Sequence, residues 1–200
     1  MNFDYVSMYP KLGKLINIVK PELEEIGESH GWQHVSDVMD YCFRIWKEEK
    51  ANLRIILPSA VLHDIALAKK YGGTFDDHSI RGSKNCVPYL KKAGYTSKEI
   101  EEIKHCVAAH NVRYEGIEPK SIEARILIDA DTLDKIDEGS FERAHKRIAE
   151  KKMTVEEFAT RWVTSREKLI KEGKLWYTDT GRKIGQPLLE KALAYWKSKM

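Results

Sequence analysis

The chain has 200 residues, with 34 Lys and Arg against 31 Asp and Glu, which gives a net charge of +3. Hydrophobic residues make up 42% of it and Gly and Pro are few, which excludes a disordered chain and a fibrous one. The near-neutral charge argues against long nucleic acids as partners, and no run approaches the roughly 20 apolar residues of a membrane-spanning helix. Three cysteines outside any CxxC pair and an N-terminus unlike a signal peptide predict a cytoplasmic protein.

Apolar residues recur at the three- and four-residue spacing of helices along most of the chain. From the N-terminus, this spacing predicts helices over 11–26, 34–46, from Pro58 through Ile65, and over 77–92, 97–109, 121–133, 141–150, 155–171 and 188–198. Pro21 is expected to break or kink the first helix, and Pro58 to lie in a first turn. Glycines predict breaks at 71–73 and 181–185, and caps are predicted at Gly94, Thr96 or Ser97, and Ser121. Because no alternating β pattern persists, we expect an all-α single domain of about eight helices over 1–200.

Polar side chains interrupt apolar runs at two places, and another polar side chain begins an amphipathic helix. His63 and Asp64 stand inside the run 60–66, Asp129 and Asp131 stand inside 126–133, and His34 begins an amphipathic helix. Asp129 falls where the apolar stripe would continue, so it is expected to point inward. A buried carboxylate is costly without a partner, and a divalent cation is a sufficient one. Helical bundles build metal sites from inward side chains on facing helices, which predicts such a site here.

The ordered set His34, His63-Asp64 and Asp129 resembles the HD superfamily of metal-dependent phosphohydrolases, which is named for its adjacent His-Asp pair. LPSAVLHDIA is similar to the second motif of that family, and RILIDADTLDKI is similar to its last motif. The segment 178–182, TDTGR, resembles a T-x-T-G-R segment of its nucleotide pyrophosphohydrolase branch. The resemblance implies an HD-domain helical bundle with a metal-site core at about 30–136, on which C-terminal helices at about 140–200 pack.

The resemblance also implies a ligand set, in which His34, His63, Asp64 and Asp129 hold one divalent cation. Nitrogen and carboxylate ligands together suit Mn²⁺, Fe²⁺, Co²⁺, Ni²⁺ or Zn²⁺ better than Mg²⁺. Asp64 or Asp131 is expected to accept a proton from the attacking water. His78 and His110 occupy places where dinuclear members of the family carry further ligands. One ion is the preferred interpretation, in which these two histidines contact phosphate, and two ions are the alternative.

Phosphate contacts must come from residues other than those common in the family. Asp37 stands where many members have an arginine, and Ala66-Leu67 replaces a common Gly-Lys. Arg81 and Lys84 are the preferred replacements because they share a helical face with His78. Tyr71 is the aromatic candidate for a substrate contact, and the remaining cationic candidates are Lys70, Arg113, Lys135 and Arg182.

These residues together predict a metal-dependent hydrolase of a nucleotide or similar small phosphoester, which acts through an activated water. The alternatives are a dinuclear hydrolase of dinucleoside polyphosphates or cyclic nucleotides, a 5′-nucleotidase, and a non-catalytic nucleotide-binding regulatory module that retains the metal. A homodimer is left open.

The charge is unevenly distributed, because residues 1–140 carry 19 Lys and Arg against 23 Asp and Glu, whereas residues 141–200 carry 15 against 8. The basic C-terminal part is therefore suited to offset an anionic substrate.

Overall fold

Helices form the whole architecture of the part of the chain that the structure describes. The computed structural model describes residues 9–27, 29–72 and 74–200, and in these ranges it contains eleven α-helices, two short 3-10 helices and no β-strand. The prediction of an all-α fold is confirmed, with more and shorter helices than the eight or so expected. Residues 1–8, on which the signal-peptide argument rests, and Gly73 of the predicted break lie outside the described residues.

The helices follow one another through short connections. In chain order they are α1 Pro10–Glu24, α2 Trp32–Glu49, α3 Leu53–Leu62, α4 His78–Asn85, α5 Val87–Ala93, α6 Ser97–Ala109, α7 Val112–Glu115, α8 Ile122–Asp134, α9 Gly139–Glu150, α10 Val155–Lys171 and α11 Asp179–Lys197. The 3-10 helices Ile65–Leu67 and Lys69–Tyr71 lie between α3 and α4. The helix expected near 77–92 is divided at Cys86, because Pro88 in the first turn of α5 has no N–H for a continuous helix.

Side-chain caps set several boundaries where the sequence predicts them. Thr96 Oγ1 accepts a hydrogen bond from Glu99 N–H, and the Glu99 carboxylate accepts one from Thr96 N–H. Ser121 Oγ accepts a hydrogen bond from Ala124 N–H at 3.2 Å and so caps α8. Gly94 ends α5 in the left-handed conformation, with φ of 90°. These three predicted caps are confirmed.

Three expectations drawn from proline and glycine in the sequence differ from the structure. Pro21 and Pro58 lie inside α1 and α3, and α3 begins before Pro58, where Asn52 Oδ1 accepts a hydrogen bond from Arg54 N–H. Nearly every residue of α3 is buried, so packing compensates for the hydrogen bond that Pro58 lacks. The break expected at 181–185 is absent, since α11 runs from Asp179 through these residues.

The central bundle is formed by α2, α3, α6 and α8. The longest contact runs between α2 and α8, with α3 and α6 packed against α8, and α4 lies across α6. Completely buried residues such as Val38, Leu57, Ile103 and Leu127 fill the space between these helices. A second apolar cluster of Ile148, Ala159, Val163 and Trp196 joins α9, α10 and α11. Within the described ranges, no helix combines the length and the apolar character that a bilayer requires.

Candidate metal centre

Six polar side chains converge inside the central bundle. All are buried, and the most exposed of them retains only 7% of its accessible surface. Five of the helices contribute, so the centre exists only in the folded chain. His34 lies in the first turn of α2, His63 and Asp64 directly follow α3, His78 begins α4, His110 directly follows α6, and Asp131 lies in the last turn of α8.

The four imidazoles are held in one tautomer by oxygen acceptors on their outer side. The Nδ1 atoms of His34, His63, His78 and His110 donate, in that order, to Asp134 Oδ2 at 2.7 Å and to the carbonyl oxygens of Ala60 at 2.8 Å, Phe75 at 2.9 Å and Val107 at 2.7 Å. Because these oxygens can only accept, each Nδ1 carries a proton and each Nε2 is the ring nitrogen that faces the centre. Metal-ligating histidines are oriented in this way.

The inner nitrogens and one carboxylate form a first group of candidate ligands. His34 Nε2 lies 3.0 Å from His63 Nε2, and Asp131 Oδ1 lies 3.5 Å from the former and 4.0 Å from the latter. All three atoms therefore lie close enough together to contact a single ion. This first group consists of His34, His63 and Asp131.

A second group lies beside the first and shares a carboxylate with it. His78 Nε2 and His110 Nε2 are 3.2 Å apart, and Asp64 Oδ1 lies 3.4 Å and 3.5 Å from them. The other oxygen of the same carboxylate, Asp64 Oδ2, lies 3.4 Å from His63 Nε2 in the first group. Asp64 therefore stands between the two groups with one oxygen directed to each.

The charges of this centre are strongly coupled. Burial alone would lower the pKa of His63, but the carboxylates of Asp64 and Asp131 outweigh it and raise this pKa to about 9. Burial also opposes ionisation of Asp64, yet the neighbouring His63 charge and hydrogen bonds from His110 and His78 hold the pKa of Asp64 well below its usual range. Burial opposes ionisation of Asp131 as well, but the charges of Lys135 and the neighbouring imidazoles hold the pKa of Asp131 below its usual range, so both carboxyl groups are ionised and available to a cation.

Two observations show that these residues fit bound divalent cations. Asp131 Oδ1 is buried and has no hydrogen-bond partner among the described residues, which is costly unless a cation fills that role. In addition, two pairs of imidazole nitrogens face each other at 3.0 Å and 3.2 Å. Ligand atoms ~2.1 Å from one metal and at right angles to each other lie ~3.0 Å apart, so this spacing suits a shared ion.

Asp129 is not part of the centre, which corrects the ligand set expected from the sequence. Its Oδ2 accepts hydrogen bonds from Thr178 N–H at 2.7 Å and from Thr178 Oγ1 at 2.8 Å, and its Oδ1 accepts one from Tyr177 N–H at 2.9 Å. Burial raises the pKa of Asp129 to about 6 against these hydrogen bonds. The side chain is turned towards the start of α11, and Asp131, two residues later, faces the imidazoles instead.

A chain of charged groups extends from His34 to the protein surface. Asp134 Oδ2 accepts from His34 Nδ1, and Asp134 Oδ1 lies 2.6 Å from Arg143 Nη2 on α9. Arg143 Nη1 in turn lies 3.1 Å from Asp37 Oδ2 on α2. Asp37 stands where many members of the family have an arginine. Here it pairs with Arg143, and Arg143 in turn pairs with the Asp134 carboxylate behind His34. The third aspartate of the DADTLD segment, which sequence reasoning left out, thus orients an imidazole of the centre.

A cavity of about 570 Å³ opens over the centre, and its wall includes Asp64, His78, His110 and Asp131. Cations from the C-terminal half line the same cavity. Lys135 Nζ lies 2.6 Å from Asp131 Oδ2, Arg147 lies over the Phe75 ring, and Arg166 comes from α10. The wall of this cavity therefore combines acidic groups and imidazoles with cations.

Arg166 and His30 are cavity residues that sequence reasoning missed. Arg166 Nε is buried without a hydrogen-bond partner among the described residues, and burial together with Arg113 lowers the pKa of Arg166 to about 10. Burial lowers the pKa of His30 to about 3, so this imidazole is neutral. The only local signal for His30 is its position four residues before His34. No local pattern in α10 distinguishes Arg166 from the other cations of that helix.

Several predicted substrate contacts have other partners instead. Arg81 is engaged within its own loop, since it donates to the carbonyl oxygens of Tyr71 at 2.9 Å and Thr74 at 2.6 Å. Lys70 Nζ lies 2.6 Å from Glu22 Oε1, and Tyr71 Oη lies 3.0 Å from Tyr89 Oη. These contacts attach the loop to α1 and α5, so Arg81, Lys70 and Tyr71 are occupied in closing the fold.

Lys84 and Arg182 are also away from the cavity. Lys84 is exposed in the last turn of α4. Arg182 is exposed and pairs with Asp179 at 3.1 Å, one turn earlier on α11. The TDTGR segment therefore serves to attach α11 to Asp129, through Thr178, and presents no cation to the centre.

Comparison with known proteins agrees with this architecture. The crystal structure of a predicted HD superfamily hydrolase from an uncultured Thermotogales bacterium superposes with a TM-score of 0.70 at 20% identity, covering 98% of this chain and 97% of that one. The structure of Bacillus subtilis YpgQ in complex with ADP superposes with a TM-score of 0.71 at 21% identity, covering 94% and 93%. At these identities the likeness shows the fold.

Sequence comparison identifies the family. The uncharacterised protein YpgQ of Bacillus subtilis is 30% identical over 121 residues, which cover 59% of this chain and 57% of YpgQ. The aligned part thus spans less than two thirds of that relative. The family model described as the HD domain matches residues 31–136, more than half of the chain, and this range contains all six residues of the centre. The chain therefore belongs to the HD-domain family.

Proposed function

We propose that the protein is a metal-dependent phosphohydrolase that acts on nucleotides and holds two divalent cations. The observation that carries the proposal is the double ligand group, in which Asp64 directs one oxygen to His34 and His63 and the other to His78 and His110. HD domains generally bind divalent metals, and both groups offer three ligand atoms within reach of one ion. Imidazole and carboxylate ligands favour Mn²⁺, Fe²⁺, Co²⁺, Ni²⁺ or Zn²⁺.

The protein contributes orientation and charge to this reaction. Divalent cations supply Lewis-acid polarisation of a phosphoryl oxygen and make water more acidic. Asp134 and three carbonyl oxygens fix the imidazole tautomers, so that little reorganisation is needed during turnover. Lys135, Arg147 and Arg166 line the cavity over the centre and attract the phosphates of the substrate.

The nucleotide is supported by the dimensions and charge of the cavity and by one neighbour in structure. About 570 Å³ accommodates a small phosphorylated molecule but excludes a folded nucleic acid. The similar structure of Bacillus subtilis YpgQ holds ADP. The TDTGR segment resembles one of the pyrophosphohydrolase branch, but its Thr178 donates hydrogen bonds to Asp129. The bond that is cleaved is therefore identified by the experiment below.

The test is a metal and substrate panel with pure protein. Mn²⁺, Co²⁺ or Ni²⁺ is combined with nucleoside mono-, di- and triphosphates, a dinucleoside polyphosphate and a cyclic nucleotide, and the phosphate product is identified by chromatography. We expect turnover of at least one nucleotide, with pyrophosphate indicating a pyrophosphohydrolase and orthophosphate from a monophosphate indicating a nucleotidase. Tight nucleotide binding without hydrolysis of any compound in the panel would overturn the proposed enzymatic activity and favour a regulatory module.

Metal stoichiometry separates two ions from one. We expect about two Mn²⁺ per chain, falling to about one in His110→Ala. His105 lies on α6 but outside the centre, where its Nε2 accepts a hydrogen bond from Lys120 N–H, so His105→Ala is the matched control. One ion per wild-type chain that does not increase with added Mn²⁺ would remove the second site.

A further inference from the structure

A second cavity, of about 310 Å³, adjoins the one over the metal centre. The two cavities share Arg113, Tyr114 and Leu169 in their walls, so they lie directly side by side, with an inner part over the centre and an outer part next to it. The outer part is also lined by Val112 and Tyr177. A ligand whose phosphates lie against the centre therefore has adjoining room for a second group.

The outer cavity differs from the inner one in chemistry. Its wall combines two tyrosines, a valine and a leucine with five charged residues, three of which pair with one another. Glu172 lies 3.5 Å from Lys174 and 3.9 Å from Lys168 in ion pairs. The inner part, in contrast, holds two buried polar atoms, Asp131 Oδ1 and Arg166 Nε, that have no hydrogen-bond partner among the described residues. A ligand that fits both parts carries phosphates at one end and an aromatic group at the other.

Arg113 fixes the boundary between the two parts. Its guanidinium donates to Thr132 Oγ1 at 3.0 Å, to the Lys174 carbonyl oxygen at 3.2 Å and to the Leu175 carbonyl oxygen at 2.7 Å. It also lies over the Tyr177 ring, 5.7 Å from the ring centroid. These hydrogen bonds anchor the segment before α11 to α8, and so keep the Tyr177 side of the outer cavity in place.

Tyr114 is exposed to an extent that packing does not explain. It retains 77% of its accessible surface, more than the other exposed large hydrophobic residues in the described ranges, Phe75, Ile170 and Met200. Of these four residues, Phe75 and Tyr114 line the cavity over the centre, which places exposed aromatic rings at its mouth. Exposed rings beside an anion-binding site are surfaces on which a planar aromatic group stacks.

We infer that the outer cavity binds the nucleobase of the substrate, with Tyr114 as its stacking residue. This inference rests on the proposed function, because it assumes that the phosphates occupy the inner cavity. The aromatic and aliphatic surface of the wall, the exposed Tyr114 ring and the position directly beside the inner cavity are met together by a planar base joined to phosphates. Base recognition here depends on an aromatic face, so we expect modest discrimination between different bases.

The test compares two ligands that differ only in the nucleoside. Adenosine 5′-(α,β-methylene)diphosphate and methylenediphosphonate are titrated into the Mn²⁺-loaded protein by calorimetry, and neither carries a hydrolysable phosphoanhydride. In Tyr114→Ala we expect the dissociation constant of the nucleotide analogue to rise about tenfold, and that of methylenediphosphonate to change by less than about twofold. Tyr114→Phe keeps the ring and should bind both ligands as the wild type does.

Ile170→Ala is the control, because Ile170 is an exposed apolar residue of α10 that lines neither cavity. Unchanged binding of the nucleotide analogue by Tyr114→Ala, or an equal loss for both ligands, would overturn the inference. Failure of the proposed function has a different signature. If the protein hydrolyses no nucleotide and still shows the Tyr114-dependent difference, the proposed hydrolase activity is wrong and the base site stands. If it hydrolyses nucleotides and binding does not depend on Tyr114, only the base site is wrong.

Discussion

At the scale of single residues, Asp64 connects the whole centre. Its two oxygens face imidazoles from four different parts of the chain, and its buried negative charge is stabilised by those imidazoles. No other described carboxylate contacts both ligand groups. A change that keeps the shape of this side chain but removes its charge therefore isolates the electrostatic contribution to both sites.

Asp64→Asn should lower the bound Mn²⁺ from two ions to at most one per chain, because the shared negative ligand is lost. Turnover should fall by roughly a thousandfold or more, since the remaining imidazoles cannot neutralise the cation charge. Elemental analysis after gel filtration gives the stoichiometry, and initial rates give the turnover. Asp179→Asn, at a side chain that is 94% exposed, is the control. Unchanged stoichiometry in Asp64→Asn would contradict the shared-carboxylate arrangement.

Asp134 acts on the metal through His34, and its replacement tests the chain of charges behind that imidazole. In Asp134→Asn the acceptor of the His34 Nδ1 hydrogen bond loses its charge, so we expect Mn²⁺ affinity to fall by about 10–100-fold. Arg143→Met should cause a smaller fall, because it leaves the Asp134 carboxylate in place but removes its partner. A competition titration with a fluorescent chelator measures both. Wild-type affinity in both variants would assign these groups to folding alone.

At the scale of helices, periodicity predicted most elements, and their ends followed local capping chemistry. Helical spacing located α2, α6, α8 and α10 because each carries an apolar face. It could not separate Asp129 from Asp131, because α8 is buried all round from Ile126 to Asp134 and has no solvent-facing side in this stretch. The start of α11, nearly 50 residues later in the chain, determines that Asp129 turns away. That information is tertiary, and no local pattern contains it.

Gly181 shows why the start of α11 needs a glycine that reads as a break in sequence. A Cβ at this position would lie 2.7 Å from Cγ and 2.8 Å from Cβ of Asp129, so only a glycine lets the two helices approach. Gly181→Ala should therefore lower the free energy of unfolding by about 1–3 kcal/mol, as measured by urea denaturation. Gly139→Ala is the matched control, since a Cβ at that helical position meets nothing closer than 3.9 Å. Equal stability of the two variants would contradict the close packing.

At the scale of the whole molecule, the uneven charge of the sequence has a structural counterpart. The acidic part of the chain supplies Asp64 and Asp131, and the basic C-terminal part supplies Arg147 and Arg166 to the wall of the same cavity. Composition indicated that the C-terminal part could offset an anionic substrate, but it could not select the residues. Helical spacing predicts Lys84 and the TDTGR segment predicts Arg182 as phosphate contacts. Arg166, in contrast, reaches the cavity only because α10 and α11 fold back over the centre.

Because ligands from five helices meet at the centre, bound metal should stabilise the entire fold. A ligand that binds only the native state at a hundred times its dissociation constant adds about 2.7 kcal/mol to the free energy of unfolding. For a chain of this length that corresponds to a rise in Tm of about 5–10 °C, read by calorimetry with Mn²⁺ against EDTA. Asp64→Asn should lose most of this rise, and His105→Ala should retain it. Equal Tm values for the metal-loaded and EDTA-treated wild type would show that the six side chains do not bind the ion, because metal that binds the native centre must resist unfolding.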